Sequence, residues 1–175
     1  MNKIFFKDIK LSIHPFFFIL PVLTGSLFLI PEWPYFIALM YFFWISVPNI
    51  FSTFNAQNDF GFSVMMPVGK SDIVKGKILS IVFLELLHLA AGAIFAVIHL
   101  LFFKADNFTL DLGSSFFGIA FIMFGLFNVI FFPGYFRTAY RFGLPLIIGV
   151  VATTLFIGGV EMLNITSIPA ARYLE

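Results

Sequence analysis

Apolar positions fall into five long runs along this chain, and polar residues collect in the gaps between them. The runs are Ile13–Ile30, Tyr35–Phe54, Ile78–Phe103, Leu112–Phe132 and Leu144–Leu163. A run of about 20 apolar residues matches a hydrocarbon layer of ~30 Å when it is helical. Backbone groups in hydrocarbon must be satisfied within the segment, so each run is expected to be a helix. Prolines punctuate the pattern. Pro15 falls in a first turn, where its missing N–H costs little, while Pro21 lies inside the first run and should kink it. Pro31-Glu32-Trp33-Pro34 reads as a turn with Trp33 as an interfacial anchor. Pro48 sits near the exit of the second run, and Pro133-Gly134 is expected to break the fourth. The tail Asn164–Glu175 is too short to span again.

Two polar stretches carry a pattern of their own. In residues 1–12, Lys3, Lys7 and Lys10 alternate with Phe5, Phe6 and Ile9. Phe5, Phe6, Ile9 and Ile13 share a helical face, which predicts an interfacial helix along the headgroups. A signal peptide is the rival reading, and the repeated spans that follow make a first membrane helix simpler. The second stretch is the loop over residues 55–77, dense in charge, amide, Gly and Pro. Asn58 or Asp59 can cap a short helix over Phe60–Met66, with Phe62, Met65 and Met66 on one face. Pro67 stops it. Ser71 is expected to cap the next helix, with Asp72 in its first turn, where the dipole favours an anion. That helix, from about Asp72 to Phe103, exceeds the bilayer at 1.5 Å per residue.

Composition sharpens the class. Apolar residues make up 61% of the 175 and charged residues 11%, against roughly 45–50% and 25% in soluble domains. The excess needs lipid as its solvent. The 28 Phe suit lipid-facing and helix-packing surfaces better than an aromatic cage. There is no Cys, hence no disulfide and no thiolate metal site. Charge then orients the chain. With the N terminus inside, eight Lys and Arg (Lys3, Lys7, Lys10, Lys70, Lys75, Lys77, Arg137, Arg141) fall on inner segments. Lys104 and Arg172 alone fall outside. This positive-inside bias makes the loop over residues 55–77 cytoplasmic.

Candidate chemistry is sparse. Glu85 and His88 lie at i and i+3 on the third span and share a face, as an intramembrane polar pair. Glu-x-x-His occurs in di-iron bundles. A single copy, without matching Glu residues in other spans, argues instead for a buried pair or a protonated Glu85 in a polar crevice. No nucleophile–base set is present, so no catalytic residue, metal or cofactor is assigned to this chain. Gly69-Lys70-Ser71 echoes the end of a phosphate loop, but Val64 stands where its first Gly is required. Lys70, Lys75 and Lys77 at the foot of a membrane helix read as topology determinants and lipid-headgroup contacts, and not as a nucleic-acid patch. Asn107-Phe108-Thr109 and Asn164-Ile165-Thr166 match the short glycosylation pattern.

Three stretches resemble the type-2 permeases of ATP-binding-cassette (ABC) transporters. Met66-Pro67-Val68-Gly69-Lys70-Ser71-Asp72-Ile73-Val74-Lys75-Gly76-Lys77 resembles the family's Leu-Pro-Val-Ser-Arg-x-x-Ile-Val-x-Gly-Lys, which precedes its third span. Lys7-Asp8-Ile9 resembles the Lys-Asp-Leu of its N-terminal helix, and Phe132–Arg137 its Pro-Leu-Tyr-Phe-Lys. The resemblance implies an all-α, polytopic transmembrane bundle forming a single permease domain over residues 1–175. Five spans are present, and the family's sixth is absent from these residues. It further implies an exporter subunit for a hydrophobic or amphipathic substrate such as peptide, lipid or drug, paired with a second permease copy or paralogue. A cytosolic ATPase subunit would carry ATP and Mg. The first cytoplasmic loop of the family is its coupling element, which assigns ATPase coupling here to Asp59, Phe62, Met65, Met66, Pro67, Lys70 and Ser71. Gln57 stands where the family often has an acid, and Lys70 replaces its Arg. The expected location is a cell membrane, multi-pass, of the bacterial plasma-membrane type with the N terminus cytoplasmic. The alternative is a membrane structural or assembly protein without ATPase coupling. An intramembrane enzyme ranks third, for want of paired catalytic residues.

Overall fold

A computed structural model of the chain describes residues 2–31, 33–102, 112–138 and 141–172. Its elements are helical, and no strand occurs among the described residues. Helix α1 (Asn2–Lys7) continues into a wide π-type turn over Asp8–Ser12. Helix α2 is Phe16–Ser26, extended by a tight turn over Leu27–Leu29, and it runs through Pro21. Helix α3 (Tyr35–Tyr41) and helix α4 (Val47–Ala56) form one rod of 22 residues, joined by a second wide turn over Phe42–Ser46. Pro48 explains that turn. It offers no N–H and its ring clashes with the carbonyl four residues back, and a widened turn relieves both. Then come α5 (Asp59–Met65), α6 (Lys70–Phe102), α7 (Ser114–Arg137) and α8 (Gly143–Arg172).

Four of these rods are long and apolar enough to cross a bilayer: Tyr35–Ala56, Lys70–Phe102, Ser114–Arg137 and Gly143–Asn164. The first expected span is shorter, Phe16–Leu29. Helices shorter than the local hydrocarbon thickness are accommodated by bilayer thinning. The protein is an all-α polytopic bundle.

Three boundary expectations are corrected. Pro133-Gly134 does not end the fourth span, because α7 runs on to Arg137. Gly134 instead admits Pro145 of α8, which would lie 2.9 Å from a β-carbon there. The helix of the fifth span does not stop at Leu163, because α8 continues to Arg172 beyond the apolar stretch Gly143–Asn164. Hydropathy marks where a helix leaves lipid, not where its hydrogen-bond ladder stops. Ser71 does not cap α6, which already begins at Lys70, where the Gly69 carbonyl accepts from the Asp72 and Ile73 amides. The connector Lys104–Asp111, with Asn107, lies outside the described residues.

The core is aromatic. Phe43 stacks on Phe127 at 4.2 Å, Phe127 on Phe131 at 5.2 Å, and Phe51 meets both Phe131 and Tyr135 edge-on. This ladder joins the α3–α4 rod to α7 and accounts for many Phe as packing and not lipid cover. On the other side α2 packs along α6. There Gly92 seats Phe28, and Ala96 is buried as well. Gly92 and Ala96 lie four residues apart on α6, a small-xxx-small spacing that permits close helix approach. They are used inside one chain.

Candidate functional site

The loop between the α3–α4 rod and α6 is a built structure. Asn58 takes a left-handed conformation (φ 47°), which Asn tolerates better than most residues, and turns the chain sharply into α5. It makes no side-chain capping bond, so the expected cap is absent. After α5 the Val68 amide donates to the Met66 carbonyl at 2.7 Å, a tight turn around Pro67. Gly69 then opens α6.

Helix α5 has two faces. Asp59 and Ser63, four residues apart, point into the protein and are buried. Phe62, Val64 and Met65 point outward, with Met65 85% exposed. Pro67, Lys70 and Ser71 continue this exposed side, and Met66 is half-buried. The structure therefore brings Phe62 and Met65 to one surface. It separates Asp59 from them.

Asp59 lies in a buried cluster of four charges. Lys7 and Lys77 both donate to its carboxylate, one to each oxygen. Lys7 also donates to Ser63 Oγ at 2.8 Å and lies 3.0 Å from the Asp8 carboxylate. Lys77 is 3.5 Å from Asp8, and its Nζ sits 3.1 Å from the centre of the Phe54 ring, a close cation–π contact. Two cations and two anions cancel. The cluster joins α1 and its following turn, α5 and α6. Its neighbour Gly76 allows Ile4 to approach, with a β-carbon there only 2.5 Å from Ile4 Cγ2. Lys77 was read from sequence as a headgroup contact. It is 3% exposed, while Lys70 and Lys75 remain on the surface.

The two carboxylates respond differently. Burial is the largest influence on each and pushes both up. At Asp59 the charge of Lys77 and the hydrogen bonds from Lys7 and Lys77 together outweigh it, holding the carboxyl below its ordinary value. At Asp8 burial wins over both lysines, and the carboxyl is raised. Asp59 is thus the anion that the lysines hold.

Glu85 and His88 are buried on the inner face of α6 but do not pair. Glu85 Oε2 accepts from Asn128 Nδ2 of α7 at 2.7 Å. His88 Nδ1 is 2.9 Å from the Leu84 carbonyl. A carbonyl can only accept, so this nitrogen carries the proton. The His88 proton goes to its own helix and Glu85 bonds Asn128 instead, so the two do not bond each other. Glu85 Oε1, His88 Nε2, Asn128 Oδ1 and Ser46 Oγ are buried without hydrogen-bond partners. His99 approaches the Tyr35 hydroxyl at 3.4 Å. Among the described residues, no group of three or more His, Asp or Glu is arranged to hold a metal.

The sequence carried one trace of the charge cluster. Lys7-Asp8 stood out in the N-terminal helix, but nothing in its spacing tied it to Asp59, 52 residues away from Lys7. The family pattern described as ABC-2 family transporter protein matches residues 3–173. No curated protein and no solved structure matches the chain.

Proposed function

The chain belongs to the ABC-2 family of transporter proteins, and from that premise we propose that it is the permease half of an exporter driven by a separate cytosolic ATPase. The coarse role is that of the family: a multi-pass membrane permease and transport subunit, with no catalysis of its own. The substrate class proposed is hydrophobic or amphipathic, such as a peptide, lipid or drug. ATP and Mg belong to the partner. A second permease copy or paralogue completes the path.

One observation carries the coupling role: α5 is anchored on one face and apolar on the other. Asp59 and Ser63 fasten it to α1 and α6, while Phe62, Val64 and Met65 are exposed on the opposite side. A loop that docks a partner needs an adaptable apolar surface, which Met and Phe supply. A lever needs a rigid joint to a membrane helix, which Lys77 supplies. ATPase closure pushing on α5 would move α6 as one body and bias the bundle between two states. The assay is affinity purification of the tagged chain from its native membrane. An ABC ATPase subunit should co-purify in stoichiometric amount; its absence under mild detergent would sink the reading.

The proposed orientation places α5 in the cytoplasm. Cysteines introduced at Met65 and Gly113 should label from opposite faces of the membrane. Both positions are exposed, and a β-carbon at Gly113 meets nothing within 4 Å. Ser63, the obvious polar choice in this loop, is buried and unsuitable. Labelling of both cysteines from one face would refute the arrangement.

A further inference from the structure

A cavity of about 540 Å³ opens beside the N-terminal helix, on the same side of the bundle as α5. One wall is the segment from Lys10 to Phe17, and the other is α4 with its continuation, from which Asn49, Thr53 and Gln57 project at four-residue intervals. Ile13 and Phe17 supply apolar lining. The volume lies within the roughly 300–1,000 Å³ of ordinary ligand sites.

The polar chemistry of this cavity is one-sided. Among the described residues, no Asp or Glu lines it. One N–H of the Asn49 amide and the Thr53 hydroxyl are committed as donors to the Ile45 and Asn49 carbonyls, at 2.7 and 2.9 Å. His14 Nδ1 accepts from the Phe16 amide at 3.2 Å. The other ring nitrogen of His14, Nε2, therefore carries the hydrogen. Lys10 Nζ, His14 Nε2–H, the second N–H of Asn49 and the Gln57 amide remain as donors. The nearby acids Asp8 and Asp59 are bound to Lys7 and Lys77. They do not cancel the charge of Lys10. Depth completes the picture. The cavity sits where the lysine-bearing N-terminal segment gives way to the apolar α2, the level at which the sequence pattern expects headgroups, and Phe16 is 43% exposed beside it.

We propose that this cavity binds the phosphodiester headgroup of an anionic membrane lipid. Lys10 and His14 face the phosphate, Gln57 faces the polar headgroup substituent, and the acyl chains descend along Phe16. Basic pockets between membrane helices hold anionic headgroups in this way. The site is separate from the outward face of α5 and does not depend on an ATPase.

Native mass spectrometry of the purified chain tests it, with phosphatidylglycerol and phosphatidylcholine of the same acyl composition offered in turn. Phosphatidylglycerol should be retained at least about five-fold better, the share expected from one basic group near the surface. Lys10→Gln with His14→Gln should abolish that preference. Lys75→Gln, an exposed lysine on α6, should keep it. Equal retention of the two lipids by the unaltered chain would overturn the site, as would a preference that survives in the Lys10/His14 variant. Equal loss in Lys75→Gln would mean general surface charge and would also overturn it. Inorganic phosphate should fail to displace the lipid; displacement would reassign the cavity to a soluble phosphate and defeat the lipid proposal.

Discussion

Lys77→Met should release the N-terminal helix from the bundle. The substitution keeps most of the side-chain volume but removes one cation from a buried group of two lysines and two aspartates. Asp8 and Asp59 would then share Lys7 alone, leaving a net negative charge on carboxylates that are 0% and 4% exposed. Removing one partner of a buried ion pair costs about 3–5 kcal/mol. The loss falls on the contact between α1, α5 and α6, because the bonds of this cluster tie the three together. A reporter cysteine at Ile4, which is fully buried, reads the release. It should resist a soluble maleimide in the parent and react in the Lys77→Met background. Lys75→Met is the control and should leave it protected. Adding Asp59→Asn to Lys77→Met returns the cluster to neutrality, with Lys7 paired to Asp8, and should recover much of the protection. Non-additivity of this kind is the signature of a direct interaction. An unreactive cysteine in Lys77→Met would show that the remaining apolar packing between α1 and α6 holds α1 without the full charge cluster.

The same cluster sets an acid limit. Asp59 is held below its ordinary value in the folded protein. The stability it contributes is fully present above its unfolded pKa of about 3.9. That stability is lost as pH falls through the lower folded value. Asp8 works in the opposite sense, since its carboxyl is raised and its charged form is disfavoured by folding. As pH falls, Asp8 is protonated before Asp59 and that penalty is relieved, so docking of α1 should not weaken until Asp59 itself titrates.

How much of this was legible in the chain follows from the range of each interaction. Apolar runs report local burial in lipid, so four long spans and the short first one stand out in sequence. The short helix before Pro67 stood out for the same local reason. Helix ends were less legible. Pro133-Gly134 looks like a break, yet its function is to seat Pro145, a contact made by a different helix. The Glu85–His88 spacing was readable, but Asn128, the group that bonds Glu85, lies 43 residues further on. The charge cluster was least legible. Lys77 carries the same local pattern as Lys75, two residues earlier. Only the side of α6 that meets α1 decides that one is buried and the other is solvated. Asp59 likewise resembled a rim residue of a docking loop until its lysine partners were placed.

Met65→Asp should separate the permease from the proposed ATPase without disturbing the membrane fold. The residue is 85% exposed and touches neither the charge cluster nor the aromatic ladder. Surface substitutions away from such features usually change stability by less than about 0.5 kcal/mol. At a docking face the same change is severe. An apolar anchor filling a partner's pocket typically contributes about 2 kcal/mol or more, and a carboxylate in that pocket adds a desolvation cost. Association should therefore fall by at least about 30-fold. The readouts are recovery of the ATPase on the tagged chain and substrate-stimulated hydrolysis in reconstituted vesicles. Both should drop, while membrane insertion and thermal unfolding stay at parent values. Ser26→Ala is the control. Its hydroxyl bonds only the Leu23 carbonyl of its own helix at 2.7 Å, so no readout should move. The outcome also distinguishes the two faces of α5. Met65→Asp tests the outward face and leaves Ile4 protected, whereas Lys77→Met breaks the inward joint and exposes it. If Met65→Asp kept full association and full coupling, α5 would not be the docking element, and its exposed Phe62 and Met65 would be covered by headgroups instead.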